Sequence, residues 1–206
     1  MSIPGIFSCA TDKPFYNERL GDWEESMPAV STSTVYSVFL IGDSRKAYEN
    51  DPILKMMETH LEAAGENSAV VFLGDNAQPS GLPDDSTHRH WEIAEKSLIA
   101  QLDILKNYQG EIIYLPGNHD WARGGKEGLE YVKNQRKYIH EYLDKKDIFL
   151  PKKGRPGPEE IKLSDDIVMI VFDSQWWFHE NEKSYSGIVD EADLFVQLED
   201  AISRNK

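Results

Sequence analysis

Cysteine is almost absent. Cys9 stands alone among 206 residues, so no internal disulfide framework holds this fold together. No stretch approaches the roughly 20 consecutive apolar residues that cross a bilayer. Basic residues are scarce as well: 22 Lys and Arg face 36 Asp and Glu, for a formal net charge of -14. That balance excludes the basic footprint of a general nucleic-acid binder. It does not favour an anionic substrate either, so attraction for phosphate has to come from bound cations and a few local basic groups. No Gly-x-Gly-x-x-Gly or Gly-Lys-Ser/Thr loop follows the first apolar run, which speaks against a nucleotide-binding doubly wound domain. Repeats and low-complexity blocks are missing too. The rest is ordinary: with 40% hydrophobic and 11% aromatic residues, the chain can build one soluble globular domain with a sizeable core.

Residues 1–34 carry Pro4, Pro14, Pro28 and the run Ser31 to Thr34. They read as an irregular lead-in to a domain over 35–206, with Phe15, Tyr16 and Trp23 packing part of it down. Ile6-Phe7-Ser8-Cys9 resembles the end of a lipoprotein signal, but the segment before it is too short for an apolar core and lacks a basic start. The compartment stays open between the cytoplasm and an exported or lipid-anchored protein. Helical stripes then alternate with apolar runs. Asp51 and Pro52 open the first helix as N-cap and first residue, Ile53, Leu54, Met57, Leu61 and Ala64 recur at helical spacing, and Gly65 stops it. Ala94, Leu98, Leu102 and Leu105 mark a second helix over 91–108, Leu129, Val132, Ile139 and Leu143 a third, and Leu194, Phe195, Leu198 and Ile202 a last one over 190–203. The intervening runs are continuously apolar rather than alternating. That pattern predicts an α/β fold on a mostly parallel, buried sheet, with right-handed crossovers carrying helices to its faces.

The chemistry sits where the runs end. Val35 to Asp43 and Ser68 to Asn76 each close on Gly-Asp, and Glu111 to Asp120 closes on Pro-Gly-Asn-His-Asp. One Gly-Asp after a strand is an ordinary capped turn. Three strand ends in succession, delivering Asp43, Asp75 with Asn76, and Asn118 with His119 to one edge, can build a metal site. Carboxylate, amide and imidazole ligands suit Mn, Fe, Zn or Mg. If two divalent ions bind, Asp75 is the natural bridge, because one carboxylate can share its oxygens between them. Such a pair clamps the attacking and leaving oxygens of a displacement at phosphorus. Arg123 lies within reach of a phosphate, and the long loop over 77–87 reads as a working loop. His88, His90 and His179 are secondary candidates. Asp173, which ends a fourth apolar run over 166–174, reads as structural.

Gly42-Asp43, Gly74-Asp75-Asn76 and Gly117-Asn118-His119-Asp120, in that order, resemble the calcineurin-like metallophosphoesterases. The Ile-Gly-Asp and Leu-Gly-Asp-Asn forms look most like the purple-acid-phosphatase branch. The resemblance implies a two-sheet α/β sandwich flanked by helices, of which this chain supplies the first part. It implies two divalent metals, with Asp43 on one, Asp75 bridging and Asn118 on the other. His119 would stand at the substrate as acid or charge stabiliser, with Asp120 orienting it or its loop and Asn76 and Arg123 meeting the phosphate ester. The activity it implies is hydrolysis by a metal-activated hydroxide. Two positions depart from that branch: Ser44-Arg45, where it has a small residue and Gly, and Gln78, where it has a metal-binding Tyr. The family's later motifs, a single His and then Gly-His-x-His, do not occur before Lys206. The chain is therefore expected to be the N-terminal portion of a longer enzyme, to hold metal weakly and hydrolyse phosphate esters poorly or not at all on its own, and to leave apolar sheet surface that favours self-association. The competing expectation is a binding or scaffold domain that keeps the fold around an incomplete site.

Overall fold

The computed structural model of the protein describes residues 34–178 and 190–205. The expectations placed on the lead-in, on Cys9 and on His179 lie outside these residues. The chain divides into two units, Met1–Thr34 and Val35–Lys206, and all the elements below lie in the second.

The first three apolar runs form β1 (Ser37–Ile41), β2 (Ser68–Phe72) and β3 (Glu111–Tyr114), paired in parallel in the order β1-β2-β3. Ile41 pairs with Phe72 and Phe72 with Tyr114, so all three C-terminal ends stop at one edge. The crossovers run through α1 (Pro52–Ala64) and α2 (Trp91–Asp103). Because the strand order advances in one direction, crossovers of one hand deliver both helices to the same face. α1 starts as the sequence predicts: the Asp51 carboxylate accepts from the amides of Ile53 at 2.9 Å and Leu54 at 3.3 Å. Gly65, with φ 66°, ends it.

The same face also takes α3 (Gly128–Leu143), while α4 (Glu191–Arg204) adds Leu194 to the core and bonds to Glu160 through Arg204 at its far end. Leu61, Leu98, Val132, Ile139 and Leu194 from the four helices share one core with Val70, Phe72, Ile112 and Tyr114 of the sheet. The Phe72 and Tyr114 rings stack there, 4.2 Å between centroids. The alternate strand residues point the other way. Val71 and Ile113 meet Leu150 and Val171 in a much smaller cluster.

That second cluster marks a second layer. The fourth apolar run is β5 (Val168–Val171), and it does not extend the parallel sheet. It pairs antiparallel with β4 (Glu159–Lys162) to make a separate two-stranded sheet. β4 reads Glu-Glu-Ile-Lys and carries no apolar run, so nothing in its composition marks it as a strand. The second sheet packs behind β2 and β3 only. Val38 and Leu40 on the edge strand β1, with Leu73 just past β2, stay exposed on this face. α1, α2 and α3 therefore flank one side of the parallel sheet, and a partial second layer backs the other. No helix among the described residues is long and apolar enough to cross a membrane.

Candidate functional site

Two motif glycines let the strand ends touch. Gly74 has φ +99°, and a Cβ on it would lie 2.5 Å from the Gly117 nitrogen. A Cβ on Gly117 would lie 2.5 Å from the Asp75 nitrogen. The turns after β2 and β3 are thus pressed backbone to backbone, which only glycine permits. Asp43 and Asp75 follow in the left-handed region, both at φ 56°. Asp tolerates that region better than most side chains, and such conformations concentrate where surrounding structure enforces them.

Hydrogen bonds stitch the edge together. The Asp43 amide donates to the Gly74 carbonyl at 3.1 Å. The His119 amide donates to Asp75 Oδ1 at 2.9 Å. Arg45 Nη1 donates to Asp75 Oδ2 at 2.8 Å and, closer still, to Asp43 Oδ1. The structure therefore brings Asp43, Asp75 and His119 to one edge, with a guanidinium nitrogen between the two carboxylates. A cleft of about 380 Å³ opens beside Asp43, lined by Gly42, Ser44, Lys46 and Tyr48 among others.

The turn after β3 presents the rest. Asn118 and Arg123 are exposed, and the Arg123 amide donates to the Asn118 carbonyl at 2.8 Å. Ala122 and Arg123 are consecutive left-handed residues, φ 50° and 56°, which tighten the turn and swing Arg123 back over His119. His119 Nδ1 lies 2.7 Å from the Pro79 carbonyl and 3.4 Å from Arg123 Nε. A carbonyl only accepts, so the shorter contact puts the proton on Nδ1; that nitrogen then cannot also accept from Arg123. The neutral ring accordingly carries its lone pair on Nε2. His88 and His90 pair with one another at the start of α2, rings edge to face at 5.3 Å.

A buried polar layer lies beneath. Asp120 is fully buried and accepts from the amides of Gly117 at 2.8 Å, Asn76 at 3.0 Å and Ala77 at 3.2 Å, and from Gln135 Nε2 at 2.9 Å. Burial pushes its carboxyl up and these donors pull it back only in part. Its described hydrogen bonds run to the loop rather than to the His119 ring, so of the two parts expected of it the geometry favours loop positioning. Asn76 departs from the expectation that it meets substrate. It is fully buried, and its Nδ2 donates to the Leu115 carbonyl at 2.8 Å and to Gln135 Oε1 at 3.2 Å. Gln101 on α2 joins the ends of β1 and β2, donating to the carbonyls of Asn76 at 2.7 Å and Ser44 at 3.2 Å. Below these, Asp173 accepts the Trp121 indole N–H at 2.6 Å, and burial raises its carboxyl to about 7.

Gln101 and Gln135 escape the sequence reading. Their signal is a polar residue set inside an apolar helical stripe: Gln101 among Ala94, Leu98 and Leu105, and Gln135 between Val132 and Ile139.

Among the described residues no three His, Cys, Asp or Glu side chains converge as a metal site. Asp43 and Asp75 do converge on one cationic nitrogen, so their oxygens suit a single cation, to which the Asn118 amide from the next turn could add a third donor.

The family model for calcineurin-like phosphoesterases matches residues 36–196, a span that takes in all three strand-end motifs and both sheets. Neither a curated protein nor a solved structure matches the chain. Three strand ends carrying Gly-Asp, Gly-Asp-Asn and Gly-Asn-His-Asp, joined at one edge and lying within that match, place the chain: it belongs to the calcineurin-like phosphoesterase family.

Proposed function

We propose that the edge formed by Asp43, Asp75, Asn118 and His119 hydrolyses phosphate esters with a divalent metal, Mn, Fe, Zn or Mg. The observation that carries this reading is the convergence of Asp43 and Asp75 on one cationic nitrogen while the His119 amide holds the other oxygen of Asp75. Such an ion would offset phosphate charge and acidify water. The wording of the motifs supports a place near the purple-acid-phosphatase-like bacterial branch.

The chain's own residues supply the rest. The Nδ1 bond to Pro79 fixes the His119 ring and aims Nε2 outward. In the imidazolium form Nε2–H can protonate a leaving oxygen or stabilise the charge growing there. Arg123 sets a guanidinium, with its forked donors, beside that ring for the non-bridging phosphate oxygens. Asp120, Asn76 and Gln135 act through the loop, keeping Gly117 and His119 in register.

The test is turnover of p-nitrophenyl phosphate under Mn²⁺ by wild type and His119→Ala. The variant should keep its metal affinity and lose roughly 10²–10⁴-fold in rate. Wild-type protein without metal-stimulated turnover, or a variant as fast as wild type, defeats the reading. The placement of Arg45 favours a second reading, a non-catalytic binding or scaffold domain that keeps the fold around an incomplete metal site. Its signature in the same experiment is no product with or without Mn²⁺.

A further inference from the structure

Arg45 does something the family resemblance does not provide for. Its Nη1 takes Asp43 Oδ1 and Asp75 Oδ2 together, although Asp75 lies 30 positions along the chain. The Arg45 and Asp75 side chains are only 21% and 17% exposed, so the contact is more than a solvated surface pair. Two carboxylates turned toward one point repel each other unless a cation stands between them. Arginine stays charged at any working pH, so this cation is permanent.

A divalent ion held between these carboxylates would compete for the same two oxygens. Asp75 Oδ1 accepts the His119 amide, so Oδ2 is the oxygen that faces Asp43 and Arg45. A guanidinium and a metal cannot share the point between Oδ1 of Asp43 and Oδ2 of Asp75, since like charges that close repel strongly. Asp43 is 67% exposed in its side chain, which leaves a solvent path along which Arg45 can leave.

We propose that Arg45 is an internal cation that holds Asp43 and Asp75 together in the metal-free protein and competes with divalent metal for their oxygens. The inference rests on the reading above that these carboxylates are the metal ligands. It makes metal uptake an exchange of one cation for another. Affinity is then set by how tightly Arg45 is held as well as by the ligands.

The test is calorimetric titration of the full chain with Mn²⁺, comparing wild type, Arg45→Ala and Arg45→Gln. Arg45→Gln keeps the stem and a donor while removing the charge, and so guards against a folding defect in Arg45→Ala. Both variants should bind Mn²⁺ more tightly than wild type, by roughly 10- to 100-fold. Thermal unfolding gives an independent readout: without metal both variants should melt below wild type, and Mn²⁺ should raise their Tm more than it raises the wild-type value. Adding Asp75→Asn to Arg45→Gln should erase the gain. Unchanged affinity in Arg45→Ala and Arg45→Gln overturns the proposal, and so does a gain that survives Asp75→Asn. Neither result bears on the hydrolase reading if wild type still shows metal-stimulated turnover. Tightened binding with no turnover in any variant overturns that reading and leaves the role of Arg45 standing.

Discussion

Asp75 and Asp120 follow neighbouring strands, yet they are held in opposite ways. Asp120 sits in the interior, and its partners are neutral N–H groups from the β2 turn, the β3 turn and α3. Asp75 lies near the surface between one backbone amide and a guanidinium on a long side chain. The partners of Asp120 can leave only if the turns come apart. The principal partner of Asp75 can leave by rotating a few bonds. The carboxylate after β3 therefore builds the edge, and the one after β2 is free to exchange what it holds.

The largest test of that contrast is Asp120→Ala. It strands the amides of Gly117, Asn76 and Ala77 without an acceptor, and unfolding in urea should show a loss of roughly 3–5 kcal/mol. A loss below about 1 kcal/mol would erase the distinction between the two acids. Asp173→Asn should act next, through pH. Burial raises the Asp173 carboxyl from its ordinary 3.8 to about 7, so between those values the folded protein binds a proton that the unfolded chain releases. Its contribution to stability is present below pH 4 and is lost as pH rises through 7. The Asn variant keeps an acceptor for the Trp121 indole without that dependence. Its Tm relative to wild type should therefore climb steadily from pH 4 to pH 8, and a constant difference would show that Asp173 is already ionised across the range. The smallest stability effect belongs to Asp75→Asn, about 1 kcal/mol or less. The same change should weaken Mn²⁺ binding more than Asp43→Asn does, because Asp75 links two strand ends. Equal weakening in both variants would place the two acids on the same footing.

Much of this contrast can be read in the chain. Asp51-Pro52 and Gly65 bracket α1 because capping and left-handed termination are local chemistry. The three strand-end motifs are legible because three apolar runs in succession each end in glycine followed by a carboxylate or amide. What escapes is whatever depends on direction. Asp75 and Asn76 are neighbours, yet one faces outward and the other is buried, and adjacency cannot say which. Arg45 stands out beside Asp43 as a departure, but no local spacing shows it spanning to Asp75. β4 is hidden because Glu159, Glu160 and Lys162 surround a single Ile161. Its identity as a strand comes from pairing with β5 rather than from its own composition.

The Asn76 amide meets Asp120 across 44 residues, and this separation has a consequence in time. A contact of that span closes only after α2 and β3 have both been placed between its ends. The amide of Leu73, bonded to the Ile41 carbonyl at 2.8 Å, needs only the crossover through α1. Pulse-labelled hydrogen exchange during refolding should therefore protect Leu73 first and Asn76 and His119 later. A molecule caught between those moments would own two strands, a helix and the Asp43–Asp75 pair, but neither the His119 amide that steadies Asp75 nor the Asn118 and His119 side chains. Binding competence would arrive as a late kinetic event, set by the landing of β3 rather than by the collapse of the core.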